Sequence, residues 1–215
     1  MAVLSGCGPP EPAVVAPVVD PARVALLAEE ATRIQYPQRI VFRWRLAEAG
    51  MRFQGRGVAR MEPPYRVRLD LFTSGGETLF QAALVGQDLR IPPWAPRELA
   101  PPPALMWASV GVFRPDSELA LLDGVRIDDG AVLLRYGAGE ERELWFRVVD
   151  GRLSGAEIRL GGHVAKEVNL AFGESSEGVR ESTYRDREAF RELRFELESI
   201  ERVESYPPDI WLPGE

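Results

Sequence analysis

The chain has 215 residues, of which 45% are hydrophobic and 27% charged, and its net charge is −7 at neutral pH. This length predicts one domain with a sizeable core, alone or with a tail. The negative charge argues against nucleic acid as a partner, because nucleic-acid binding needs a basic surface. One cysteine excludes an internal disulfide and one histidine excludes a multi-histidine metal site. No apolar run approaches the ~20 residues of a membrane-spanning helix.

The N-terminus carries a Leu-Ser-Gly-Cys sequence that ends at Cys7 and resembles a bacterial lipobox. In that type of signal a peptidase cuts before the cysteine, whose sulfur then carries a diacylglycerol. Residues 1–7 are therefore interpreted as the remnant of a lipoprotein signal, with Cys7 as the lipid attachment site. Gly8 follows in place of an aspartate, which by the same resemblance favours the periplasmic face of the outer membrane. The alternative is a free cysteine in an N-terminal tail.

The segment after the cysteine is rich in proline up to residue 20, and a helical pattern begins at Pro21. Residues 8–20 hold four prolines and predict a semi-rigid tether between an anchor and a folded domain. A first helix is predicted over residues 21–34, because Asp20 is a natural N-cap and Pro21 suits the first helical turn. We expect residues 21–215 to form a single domain.

Consecutive strands are predicted from residue 40 onward, and the clearest run covers residues 51–91. There Tyr65, Val67 and Leu69 alternate with charged residues, the period of a strand with one buried and one solvated face. Turn sequences rich in glycine and proline separate the strands. One face of this meander is nearly all apolar and the other is nearly all arginine.

A proline-bounded apolar segment interrupts the sheet. Residues 97–100 and 103–113 each predict a short helix, and the second is the densest apolar cluster in the chain. A short helix that is apolar on all sides must be buried or must cover an apolar surface. Two interpretations stay open: a plug or lid in the mouth of a half-barrel, and an ordinary core helix.

The sheet is predicted to resume at residue 119, with hairpin turns at the Asp-Gly pairs that begin at Asp123, Asp129 and Asp150. Residues 190–203 fit either a helix or a strand, and we predict a strand because the segment follows a long antiparallel run. The tail is predicted to be extended and to pack Trp211 on the sheet.

One helix, a long meander, an apolar insertion and more meander form a layout that resembles the LolA/LolB superfamily of periplasmic lipoprotein carriers. The nearest match is the strand–turn–strand stretch of residues 65–80, and the insertion stands where that family places its internal helices. The resemblance implies a mainly β fold: a strongly curved antiparallel sheet, or half-barrel, with an N-terminal helix and a short apolar helical insertion covering the concave face. It also implies a cavity for acyl chains.

The apolar side chains of the concave face and of the insertion are the candidate ligand-binding residues. They are Phe42, Trp44, Phe53, Leu69, Leu71, Phe80 and Leu84 on the sheet, and Leu105, Met106, Trp107, Val110 and Phe113 in the insertion. Gly55, Gly57 and Ala59 are expected to leave room on the same face. The alternative is a filled core in which these residues pack on the insertion.

The arginine-rich face also has two interpretations. It could dock on an anionic lipid surface or an acidic partner. We favour the second interpretation, in which these arginines pair across strands with the glutamate-rich residues 174–204, although each such pair contributes little.

The chain lacks the GxSxG, GxxxxGK and HExxH signatures, so no catalytic residues, cofactor or metal are predicted and we expect a non-enzyme. The sequence predicts a monomeric, lipid-anchored envelope protein that binds an acyl chain or other apolar ligand. Its partners would be lipids, lipoproteins or another envelope protein, in transport to the outer membrane. The alternative function is a structural or interaction lipoprotein with a filled core and no ligand.

Overall fold

A computed structural model describes residues 13–138, 142–173 and 178–214. Within these ranges the chain forms a thirteen-stranded antiparallel sheet and two α-helices. The strands are β1 (Val14–Pro17), β2 (Gln38–Glu48), β3 (Met51–Glu62), β4 (Arg66–Thr73), β5 (Thr78–Val85), β6 (Asp88–Arg90), β7 (Ala120–Ile127), β8 (Val132–Gly137), β9 (Arg142–Val149), β10 (Arg152–Leu160), β11 (His163–Phe172), β12 (Val179–Asp186) and β13 (Arg191–Arg202). The helices are α1 (Pro21–Thr32) and α2 (Pro103–Ser109). Neither of these helices has the length and apolar character needed to span a membrane.

Two meanders, β2–β6 and β7–β13, join where β13 pairs with β2, and β1 adds to the edge at β7. The sheet stays open, with β1 and β6 as its edges, and it curves around one hydrophobic core. The predicted fold class is therefore confirmed: a mainly β half-barrel with an N-terminal helix and an apolar helical insertion. The strand predicted for residues 190–203 is confirmed as β13.

All three predicted helices are present and shorter than expected: α1, α2 and, for residues 97–100, a 3₁₀ helix at Arg97–Leu99. The Asp20 carboxylate accepts a hydrogen bond from the Arg23 backbone N–H at 2.9 Å, which caps the start of α1. Every residue of α2 from Ala104 to Ser109 is buried, and α2 packs against β10, β11 and β12. The chain leaves α2 at Gly111, whose φ of +80° favours glycine.

Three local predictions are wrong. Val14–Pro17, inside the predicted tether, pairs with β7 as an edge strand. The Asp123-Gly124 pair is not a turn but lies within β7, where a Cβ at Gly124 would lie only 3.0 Å from Cβ of Pro21. The tail is not extended throughout, because Pro208–Trp211 forms a 3₁₀ helix, although Trp211 is buried as expected.

The arginine face pairs in part with β13, as the second interpretation predicted, while Arg60 and Arg68 pair with Asp70 and Arg66 pairs with Glu62. Arg43 lies 3.1 Å from the Glu196 carboxylate, Arg56 lies 3.3 Å from Glu198, and Arg39 lies 3.5 Å from Glu201. These pairs follow from the strand order, because the junction of β13 with β2 sets acidic and basic residues side by side. They are partly exposed, so each contributes only about 0–1 kcal/mol.

Candidate functional site

A cavity of about 540 Å³ lies between one end of the concave face and the helices. The end of α1 and the following residues form one side, β2, β3, β4 and β13 form the floor, and the start of β12 forms the opposite side. Ser109, Val110 and Val112, at and after the end of α2, contribute a further wall. The apolar lining of the sheet comprises Ile40, Phe42, Ala59, Met61, Val67, Leu69, Phe195, Leu197 and Ile200.

The structure brings four of the twelve candidate ligand-binding residues to this cavity. Phe42, Leu69, Met106 and Val110 line it. Seven others are buried in the core away from the lining: Trp44, Leu71, Phe80, Leu84, Leu105, Trp107 and Phe113. Phe53 lies near the far end of the sheet with 47% of its surface exposed. Cys7 lies outside the described residues.

Trp44 closes the concave face beyond the cavity. Its indole N–H is shared between the backbone oxygens of Arg56 and Phe72, at 3.0 and 3.1 Å. A Cβ at Gly55 would lie 2.9 Å from the indole and 1.9 Å from the Phe72 oxygen. The glycine therefore makes room for the tryptophan ring and not for a ligand.

Phe42 uses the space above Gly57 in the same way. A Cβ at Gly57 would lie 2.3 and 2.4 Å from two atoms of the Phe42 ring. That ring meets Phe195 edge to face, with centroids 5.0 Å apart, an arrangement that aromatic pairs prefer. The expectation that Gly55 and Gly57 leave free space is thus wrong, because two aromatic rings occupy it. Ala59 is the small residue that does line the cavity.

Hydrogen bonds fix the helices over the open part of the sheet. The Thr32 hydroxyl donates to the Ala28 oxygen at 2.8 Å and accepts from the Phe113 backbone N–H at 2.9 Å. On the other side, the Tyr65 hydroxyl donates to the Glu29 carboxylate at 2.6 Å. Burial, together with this carboxylate, raises the pKa of Tyr65. The end of α1 is thereby tied both to the turn before β4 and to the segment after α2.

The helix α2 is anchored as part of the wall. The Trp107 indole donates to the Gly86 backbone oxygen at 2.8 Å, between β5 and β6. Met106, one residue earlier, faces the cavity. The two interpretations of the insertion therefore apply to different side chains of one helix, because Trp107 packs in the core while Met106 lines the cavity.

Several lining residues were missed by sequence reasoning. Phe195 and Leu197 reach the cavity because β13 pairs with β2, which are far apart in sequence. Their alternation with charged residues was visible, but nothing local indicated which strand they would meet. The polar residues Arg33, Arg180 and Ser182 also line the cavity. No pattern in the sequence distinguished them from other surface residues.

Among the described residues, no group of three or more histidine, cysteine or acidic side chains could hold a metal ion. Comparison with known proteins gives a likeness in structure alone. No family model matches the chain, and no curated protein matches it in sequence.

Solved structures with the same fold include a LolA superfamily protein from Nitrosomonas europaea, with a TM-score of 0.58 and 14% identity over 90% of this chain and 98% of that one. A DUF1329 family protein from Desulfovibrio piger has a TM-score of 0.54 and 7% identity over 92% and 98%. A Vibrio parahaemolyticus domain named for outer membrane lipoprotein sorting has a TM-score of 0.50 and 8% identity over 87% and 94%. The chain therefore has a LolA/LolB-like fold, as the sequence layout predicted.

Proposed function

We propose that this protein is a non-catalytic envelope carrier that shelters an acyl chain or similar apolar ligand in the cavity under α1 and α2. It acts in lipoprotein or lipid transport to the outer membrane. It works as a monomer on the periplasmic face of that membrane, held by a diacylglycerol on Cys7. The observation that carries this proposal is the apolar cavity of about 540 Å³.

The size and lining of the cavity support an acyl ligand. Ligand pockets have volumes of about 300–1,000 Å³ and are mainly apolar with a few polar groups. Each buried methylene group contributes about 0.8 kcal/mol. One myristoyl chain gives only reversible membrane binding, with a constant of about 10⁴ M⁻¹. A cavity that offers a comparable environment could therefore exchange such a chain with a membrane.

The position of β1, the first strand of the described chain, agrees with a lipid anchor on Cys7. Neighbouring strands alternate in direction, so β1 begins, β7 ends and β12 begins at the same end of the sheet. Val179, at the start of β12, lines the cavity. The six residues 8–13 can span at most about 20 Å. A lipid on Cys7 would thus hold the cavity end of the sheet near the membrane.

Ligand uptake by the full-length protein tests the proposal. Native mass spectrometry of protein purified from cells should show co-purifying lipid, and delipidated protein should take up a fluorescent fatty acid. Ala59→Phe adds a ring where the wall faces free space and should abolish uptake. The matched control Ala171→Phe adds the same ring at an exposed position of β11 and should bind normally.

The alternative is a structural or interaction lipoprotein that holds no ligand. A clean apo mass together with no fatty acid uptake by the wild-type protein would favour it. Equal uptake by wild type and Ala59→Phe would show that any ligand binds elsewhere. Incorporation of radiolabelled palmitate into wild type but not into Cys7→Ala tests the anchor separately.

A further inference from the structure

The charged residues that line the cavity are Arg33, Arg180 and Glu181. The Glu181 carboxylate pairs with Arg194. Arg33 and Arg180 are exposed, and no ion pair joins either of them to another described residue. Among the described lining residues, the charges without an ion-pair partner are therefore positive, on two sides of the opening: Arg33 follows α1 and Arg180 belongs to the start of β12.

A buried hydroxyl group of the same lining lacks a partner. The hydroxyls of Thr32 and Ser109 donate to helix carbonyl oxygens, at 2.8 and 2.9 Å. Ser182 is 2% exposed, and its Oγ has no hydrogen-bond partner within the described part of the chain. A buried polar group left unsatisfied costs about 1–3 kcal/mol, and most such groups in proteins do have a partner. This hydroxyl is therefore a candidate donor to a ligand oxygen.

Arg180 and Ser182 both line the cavity from β12. Two residues of extended chain separate them by about 7 Å. A bulge at Arg180, where Ala171 pairs with Glu181 and Phe172 with Val179, interrupts the regular alternation of side chains. Ser182 pairs in register with Phe195, which lines the cavity. A cation at the opening is thus followed inward by a hydroxyl donor and then by apolar side chains.

We propose that the occupant is an anionic acyl glycerophospholipid, an inference that rests on the proposed function of the cavity. The negatively charged head group lies between Arg33 and Arg180. The ester carbonyl lies deeper in the cavity, separated from the head group by the glycerol backbone. It accepts a hydrogen bond from the Ser182 hydroxyl after the serine side chain rotates about χ1. The acyl chain lies against Ile40, Phe42 and Leu69. The spacing along β12 matches the order of charge, ester and chain in such a lipid.

Matched lysolipids test the charge preference on the full-length protein. Binding is measured by displacement of the uncharged probe 1-N-phenylnaphthylamine. Palmitoyl lysophosphatidylglycerol should bind at least fivefold more tightly than palmitoyl lysophosphatidylcholine, which has the same chain and ester but no net charge. Added salt should reduce this preference. The comparison needs no substituted protein.

Substitutions then assign the preference to residues. The double variant Arg33→Gln/Arg180→Gln should bind both lysolipids equally. The control Arg23→Gln/Arg52→Gln changes the net charge by the same amount at exposed positions that do not line the cavity and should keep the preference. Ser182→Ala should lose the preference of wild type for the ester-linked lysolipid over its ether-linked analogue.

The outcomes separate this inference from the proposed function. Equal binding of the two lysolipids to wild type would overturn the anionic assignment and leave an apolar carrier. Binding of neither would overturn the proposed function as well. An unchanged ester preference in Ser182→Ala would remove the hydroxyl from the site.

Discussion

Gly57→Ala tests the close packing of Phe42 over the sheet at the cavity wall. The added methyl group would lie 2.3 and 2.4 Å from two ring atoms of Phe42 and 3.0 Å from the backbone oxygen of Asp70. The ring must therefore move, and the cavity it lines is the free space available to it. The movement would disrupt its edge-to-face contact with Phe195.

The expected cost follows from these contacts. Overpacking in a core costs about 1–3 kcal/mol, and the aromatic contact contributes about 0.5–1.5 kcal/mol. Replacing glycine at a compatible backbone position stabilises the protein by about 0.4–1 kcal/mol, because it lowers the conformational entropy of the unfolded chain. We expect Gly57→Ala to lower the free energy of unfolding by about 1–2 kcal/mol, which corresponds to a fall in Tm of roughly 2–8 °C at this chain length.

Urea unfolding of a double-mutant cycle measures the contact itself. Phe42→Leu shortens the side chain, so Gly57→Ala should cost at least about 1 kcal/mol less in that background. Gly75→Ala is the control, because its Cβ would meet Thr73 only at an ordinary 3.6 Å. Additive effects of Gly57→Ala and Phe42→Leu, within about 0.5 kcal/mol, would refute the inferred clash.

Two further substitutions test the polar contacts around the cavity and the sheet. Thr32→Val leaves the Phe113 N–H without its acceptor and should lower the free energy of unfolding by about 1–3 kcal/mol; a change below about 0.5 kcal/mol in urea unfolding would contradict this. Burial alone would raise the pKa of Asp186, but hydrogen bonds from Lys166 and the Ala189 N–H, with the nearby positive charges, hold it below its ordinary value. This carboxylate therefore stabilises the fold above its unfolded pKa of about 3.9, and the contribution is lost as the pH falls through the lower folded pKa. Asp186→Asn should therefore be less stable than wild type at pH 7 and should lose less stability on acidification. Thermal unfolding between pH 2 and 7 measures both effects. Parallel dependence of Tm on pH in the two proteins would contradict the inferred role of this carboxylate.

The sequence predicted the parts of the fold that depend on local signals. The alternation around Val67 and Leu69 identifies a strand by its period, and Asp20 with Pro21 identifies the start of a helix. The Asp123-Gly124 pair was wrongly predicted as a turn, because the approach of Pro21 to this part of β7 is a tertiary contact that no local pattern encodes. Edge strand β1 was missed for the same reason, since its pairing partner is more than 100 residues away.

The candidate site was harder to predict, because it depends on which strands become neighbours. Alternation predicted that Phe42 lies on an apolar strand face and was compatible with the same for Leu197, but only the pairing of β13 with β2 places them opposite each other. The free volume above each strand likewise cannot be derived from the sequence pattern. Gly57 and Ala59 both look like small residues that leave room, yet the ring of Phe42 fills the space above the first.

The sequence left a filled core and an open cavity as alternatives, and the sheet contains both in different places along the same strands. Towards the end of β2, the Trp44 indole covers Gly55 and donates to two backbone oxygens, so this part of the concave face is closed. Towards the start of β2, Ile40 lies beside Ala59, and the space above them is bordered by the helices instead of being filled by an aromatic ring. The closed part supplies the buried area that stabilises the sheet, and this allows the other part to keep a volume that would otherwise destabilise the core. A protein that binds a ligand in such a cavity needs both a filled part and an open part of the concave face. Without the filled part, the core would bury too little area to stay folded when the cavity is empty.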